Sequence, residues 1–311
     1  MISSTLLLEG LLPFLLLFST PILAARSDDD TPFIRSIFLF KDVLKSNTTA
    51  LQTSGFNTLI IFGVGVLANG DIMYYSNTPG SSDTLIASNG TYVGGDTLAA
   101  KVHSFKEAGE TTQGDDDVAA TRDVDRVEIS MNAQNIRELM STTTAESILY
   151  QNFVALKEAW ALDAVNNDDE SIYDTASTVA FAKMLGTAGY RYTIAPYTRT
   201  SFWAGVVSEV NSDDSGGEEG KVLDRVYLQL YDGGAGNRPG DWQTTLGMKV
   251  VPILWVVNDS KPQFGQTPAQ AGERFAQWKE QDGVAGGGYW NDFDIEKMGS
   301  SYTEYGAALR F

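Results

Sequence analysis

Short apolar runs rich in Val, Ile, Leu, Phe and Tyr recur along this chain, each followed by a stretch whose apolar residues fall three and four apart. The first kind of run reads as strand and the second as helix, and their alternation predicts parallel strands joined by crossover helices. The expected strands are Phe33 to Phe40, Thr58 to Val66, Arg126 to Met131, Leu162 to Asn166, Tyr190 to Ala195, Arg225 to Tyr231, Met248 to Val256 and Val284 to Tyr289. Strands in this number and order, in one chain of this length, imply a closed (β/α)₈ TIM barrel.

Helix signals sharpen the picture in two places. Thr143 stands three residues before Glu146 as a capping box, ahead of a stripe of Leu149, Phe153, Leu156 and Trp160 that reads as core. Thr267-Pro268 opens a second helix, which turns Ala271, Phe275 and Trp278 inward and stops at Gly283. Two segments fit less simply. Pro252 falls inside the seventh strand, where it removes a ladder donor, and residues 67–87 form a polar insertion expected as a hairpin after the second strand. No internal repeat and no shift of composition calls for a second domain, so residues 26–311 are expected to form one barrel.

Composition narrows the function. Residues 1–25 hold an apolar core from Leu11 to Leu17, a break at Pro21 and a small-residue end at Ala24-Ala25, so they are expected to be a secretory signal peptide. No later segment approaches a membrane-spanning length, and no membrane anchor is expected in the mature chain. Export agrees with three sequons, at Asn47, Asn89 and Asn258. With no cysteine, disulfides and thiolate chemistry are excluded and stability must come from a core. A formal charge of −18 argues against nucleic acid, because nothing offers the clustered Lys and Arg that phosphates require. The one histidine, His103, is too few for a histidine zinc site, has no Gly-x-Ser-x-Gly turn to serve, and is expected at the surface.

In such barrels chemistry gathers at the carboxyl ends of the strands. The fourth ends in Asn166, Asp168 and Glu170; the fifth in Ala195-Pro196-Tyr197; the sixth in Gln229, Tyr231 and Asp232; the seventh in Trp255; the eighth in Tyr289-Trp290-Asn291-Asp292. Acids, amides and rings on one rim suit a sugar, which offers hydroxyls to polar groups and C–H faces to rings. Trp203, following the fifth strand, and Trp242, following the sixth, either extend that rim or pack beneath loops. If Leu162 to Glu170 is extended, Asn166, Asp168 and Glu170 share a face at intervals of roughly 6.5 Å, while Asn167 and Asp169 face the other way. Two carboxylates on one face of a cleft raise the pKa of one, which then holds a proton for use as a general acid. The alternative is a solvated acidic loop of the kind found at residues 115–117 and 213–219. A calcium loop is disfavoured by the missing glycine at its sixth position.

The run Asp163-Ala164-Val165-Asn166-Asn167-Asp168-Asp169-Glu170 resembles the Asp-x-x-Asp-x-Asp-x-Glu signature of the family 18 glycoside hydrolases, which include chitinases and endo-β-N-acetylglucosaminidases on (β/α)₈ barrels. Three of the four acids match; Asn166 replaces the second, and Ala164 the usual glycine. Gln229 with Tyr231-Asp232 resembles the strand-six pattern of the family, and Trp290 takes the place of its strand-eight tryptophan. The resemblance implies a retaining hydrolase in which the substrate's own N-acetyl oxygen attacks the anomeric carbon. Glu170 would then be the acid, Asp168 and Tyr231 would hold the acetamide, and Trp290 would floor the sugar. Asp163, Asn166, Gln229, Asp232, Tyr197 and Asn291 would complete the substrate site, with Asn166 donating a hydrogen bond to Asp168. No metal or organic cofactor enters that chemistry. The expected partner is a glycan or amino-sugar polymer, and the chain is expected to act as a monomer. From a different class, the same barrel could hold a glycan without cleaving it, a reading that Asn166 keeps open.

Overall fold

The computed structural model describes residues 32–107, 124–144, 146–212 and 220–310. The expected leader over residues 1–25 and the acidic runs at 115–117 and 213–219 lie outside them. Along the chain come β1 (Ile34–Leu39), α1 (Thr48–Thr53), β2 (Thr58–Val66), β3 (Ile72–Tyr74), β4 (Thr84–Ser88), β5 (Thr91–Tyr92) and α2 (Asp96–Ser104). Next are β6 (Arg126–Met131), α3 (Ile136–Met140), α4 (Ile148–Trp160), β7 (Ala164–Asn167), α5 (Thr175–Thr187), β8 (Arg191–Ile194) and α6 (Thr200–Val210). The remainder is β9 (Leu223–Gln229), α7 (Pro239–Leu246), β10 (Val251–Val256), β11 (Gly265–Gln266), α8 (Pro268–Asp282), β12 (Gly286–Trp290), α9 (Asp292–Lys297) and α10 (Tyr302–Ala307).

Eight parallel strands, in the order β1, β2, β6, β7, β8, β9, β10, β12, form a barrel that closes where β12 pairs with β1. Each expected strand is present, with ends moved by a few residues. The polar insertion after β2 becomes more than a hairpin: β3, β4 and β5 form an antiparallel meander that extends the carboxyl end of β2. Pro252 does lie within β10. Its ladder to β12 begins only at Ile253, so the missing donor falls where that pairing has not yet started.

Alternation along each strand builds two cores. Outward residues such as Ile37, Leu59, Val127, Val165 and Leu254 pack with Phe153, Trp160, Trp203 and Phe275 of the surrounding helices. Inward residues Phe38, Ile60, Tyr227 and Ile253 form a smaller cluster inside the barrel. The glycines of β12 permit this closeness, since a Cβ on Gly288 would lie 2.0 Å from the Ser36 hydroxyl.

The α8 reading holds in detail: Thr267 and Gln270 form the capping box, Pro268 opens the helix and Gly283 ends it at φ 62°. The α4 reading needs a correction. Its cap is Ser147, whose Oγ accepts the Tyr150 N–H at 3.4 Å, while the Thr143 hydroxyl donates to the Leu139 carbonyl at 2.8 Å behind α3. His103 is half-buried on α2, with Nε2 2.9 Å from the Ala159 carbonyl oxygen. Asn47 and Asn89 are exposed, but Asn258 is buried and its side-chain oxygen accepts the Lys261 N–H at 2.8 Å, which makes that sequon a structural turn. No helix among the described residues is long and apolar enough to cross a membrane.

Candidate active site

The parity of β7 decides what each of its residues does. Ser130, Asn166 and Thr193 stand in register on β6, β7 and β8, all facing into the barrel. The Ser130 hydroxyl donates to the Asn166 side-chain oxygen at 2.9 Å, and Asn166 Nδ2 donates to Thr193 Oγ1 at 3.0 Å. Thr193 donates onward to Glu128 at 2.7 Å, and Glu128 also accepts from the Tyr227 hydroxyl and from Arg126, each at 2.7 Å. Asn166 is therefore fully buried and spent on its neighbours. The expected bond from Asn166 to Asp168 is absent among the described contacts, and the donor to Asp168 is Gln229 instead.

Asp168 continues the ladder one residue past β7, its N–H bonded to the Met131 carbonyl at 2.9 Å. Its Oδ1 accepts from Gln229 Nε2 at 3.1 Å, and the same amide donates to the Ala195 carbonyl at 2.9 Å. Burial first, then the charges of Glu170 and Asp169, push the Asp168 carboxyl up to about 7. Asp169 points the other way, as parity requires, and its carboxylate gathers the N–H groups of Ser171, Ile172 and Tyr173 at 2.7–2.9 Å. That wrap turns the chain sharply and leaves Glu170 exposed on the rim. Desolvation also raises the Glu170 carboxyl, opposed by a hydrogen bond from Gln229 and reinforced by Asp232.

Tyr231 and Trp255 line the adjoining sector, their rings 5.6 Å apart. Burial and the charges of Asp168, Glu170 and Asp232 hold the Tyr231 phenol firmly protonated, so it can serve only as a hydroxyl donor or acceptor here. Asp232 adopts a left-handed backbone at φ 49° and pairs with Lys261 at the surface. Trp290, at the end of β12, is half-buried over the inner core. The rings of Phe62, Phe40 and Phe38 surround it at 4.8, 5.6 and 5.6 Å. Tyr197 is half-buried, with its ring against Gly233 at the start of the loop after Tyr231.

Besides Asn166, two expected site residues lie elsewhere. Asp163 precedes β7 at the amino end of the barrel, where its carboxylate accepts the Val127 N–H at 2.7 Å and pairs with Lys106 at 2.6 Å. Asn291 is buried as the cap of α9: it accepts the Asp294 N–H at 3.0 Å and donates to the Asp294 carboxylate at 3.1 Å. Trp203 and Trp242 are buried in the outer core and extend no cleft. The sequence reading missed Phe40, Phe62 and the Glu128 network. The alternation Arg126-Val127-Glu128-Ile129-Ser130 carried a signal for the last, since it puts polar side chains on the inner face of a barrel strand.

The chain has the (β/α)₈ barrel fold found in solved chitinases. Similar structures include a chitinase from Aspergillus fumigatus (15% identity, 85% of this chain and 92% of that one covered, TM-score 0.59). Another is a chitinase from Bacteroides thetaiotaomicron (15% identity, 89% and 96% covered, TM-score 0.56). A third is an immunomodulatory active chitinase from Trichuris suis (9% identity, 89% and 99% covered, TM-score 0.55). No protein-family model and no curated protein matches the chain.

Proposed function

We propose that this protein is a secreted retaining glycoside hydrolase acting on β-linked N-acetylglucosamine, in N-glycan cores or chitin-like polymers. The observation that carries the reading is the pair of carboxylates, Asp168 and Glu170, both raised by desolvation, on a rim that also holds Tyr231 and Trp290, with the Gln229 amide donating to Asp168 at 3.1 Å. Glu170, exposed yet raised, would protonate the leaving glycosidic oxygen and later take a proton from water. The acetamide carbonyl oxygen of the substrate would form the bond to the anomeric carbon as the glycosidic bond breaks. Asp168 would accept the acetamide N–H and offset the positive charge of the cyclic intermediate, while Tyr231 donates its hydroxyl to the acetamide oxygen. Trp290, braced by three phenylalanine rings, would supply the apolar floor.

A second reading rests on Asn166. Because its amide is consumed by Ser130 and Thr193, Asp168 has no proton-sharing partner below it, which favours a barrel that binds a glycan without turning it over. One experiment separates the two: reducing-sugar release from a high-mannose glycopeptide and from a chitin oligomer, by the natural protein and by Glu170→Gln. Release that disappears in the variant supports hydrolysis. Binding of either glycan with no release by the natural protein establishes the second reading.

A further inference from the structure

A groove of about 540 Å³ lies between α7 and α8, and none of the candidate site residues lines it. Its walls carry Arg238, Asp241, Arg274, Gln277, Trp278 and Gln281. The Arg274 guanidinium is half-buried and lies 4.6 Å from the centre of the Trp278 ring. Neither the Arg238 nor the Arg274 guanidinium makes a hydrogen bond or ion pair among the described residues. Asp241 and Asp282 also border the groove, yet neither comes within ion-pair distance of a guanidinium. Several other cations have carboxylate partners: Lys41, Lys106, Arg126, Lys261 and Lys297. In a chain of formal charge −18, two arginines that form no ion pair among the described residues line this one groove. The cost is real for Arg274, because burial without a counter-charge works against its charged form.

We propose that this groove is a second saccharide-binding site, selective for acidic sugars. A planar guanidinium fork fits an oxyanion through two parallel hydrogen bonds, and Arg238 and Arg274 together would hold one carboxylate or sulfate ester. The amides of Gln277 and Gln281, exposed on α8, would meet ring hydroxyls, and the free edge of Trp278 would meet the apolar face of a ring. Elsewhere the acidic surface repels such ligands, so binding of an acidic sugar that excess neutral tetramer does not displace would point to the groove. The site stands independently of hydrolysis at Glu170.

Calorimetric titration tests it on the natural protein and on Glu170→Gln, with hyaluronan and chondroitin sulfate tetrasaccharides, the neutral N-acetylglucosamine tetramer and sodium sulfate as probes. The expected result is binding of an acidic tetrasaccharide with equal affinity by both proteins, undisturbed by excess neutral tetramer. Arg238→Ala and Arg274→Gln should each weaken it at least about tenfold. Arg238 is exposed, so its variant reports on binding without a change of fold, checked by an unaltered melting temperature. Comparable binding of both acidic sugars assigns the carboxylate; binding of chondroitin sulfate alone assigns the sulfate ester. The proposal is overturned if no acidic tetrasaccharide binds in the presence of saturating neutral tetramer, or if both arginine variants bind like the natural protein. Sodium sulfate binding as tightly as the sugars would also overturn it, leaving a simple anion site.

Discussion

Gln229 opposes the desolvation that raises the rim carboxyls: its Nε2 donates to Asp168, and it favours the ionised forms of Asp168 and Glu170. A donor to a carboxylate lowers its pKa, so removing the donor lets desolvation act unopposed. In Gln229→Leu both carboxyls should titrate at higher pH than in the natural protein, a change that carboxyl NMR detects whether or not sugar is released. Where sugar is released, the alkaline limb of the pH profile should move upward as Glu170 keeps its proton longer. Activity at the optimum should fall by up to about a hundredfold as Asp168 loses its orientation. Unchanged titration of both groups would refute the role. At this scale Asp168, Glu170, Gln229, Tyr231 and Trp290 were legible from strand ends. Asp163 was not, because a motif spans both ends of a strand and only the carboxyl end opens on the rim.

Helix α4 shows what decides between two equivalent local signals. Thr143 with Glu146 matches a capping box, while Ser147 has no such partner, yet the chain starts its helix at Ile148. Starting there sets Leu149, Phe153, Leu156 and Trp160 all into the outer core, and Thr143 is left to the last carbonyls of α3. Ser147→Ala should therefore cost about 1 kcal/mol in urea unfolding, with Thr143→Ala costing measurably less. The reverse ranking would restore the capping box. In α8, where Thr267, Pro268, Gln270 and Gly283 all agree with the buried face, the local signal sufficed.

At the scale of the whole molecule, the barrel interior holds a buried charge network as well as apolar packing. Glu128 is completely buried and receives Arg126, Thr193 and Tyr227, while Arg126 also pairs with Asp224 at 2.6 Å. Glu128→Gln leaves Arg126 partly uncompensated and should cost about 3–5 kcal/mol by denaturant unfolding, whereas a loss below about 1 kcal/mol would show the network to be dispensable. The pH dependence of stability has its own sources in Asp168 and Asp292, both raised by burial to about 7 from an ordinary 3.8. Asp292 is fully buried; one oxygen takes the N–H groups of Phe40 and Lys41 and the other has no partner among the described residues. Since the folded state holds these protons more tightly, their contribution is fully present below about 4 and is lost as pH rises through about 7. Melting temperature should fall over that window, and Asp292→Asn should flatten the fall. An equally steep fall in the variant would exclude Asp292 as a source.

The sequence by itself determined the barrel, the order of its strands and the rim on which the carboxylates stand. Alternation and helical spacing are local properties that burial enforces wherever the partner lies. Only the tertiary structure decided that Asn166 turns to Ser130 and Thr193, that Asn291 caps a helix, and that Trp290 is framed by Phe38, Phe40 and Phe62. It also decided that two arginines between α7 and α8 form no ion pair among the described residues. These facts depend on register between strands and on contacts between residues far apart in the chain, which no periodicity along one segment encodes.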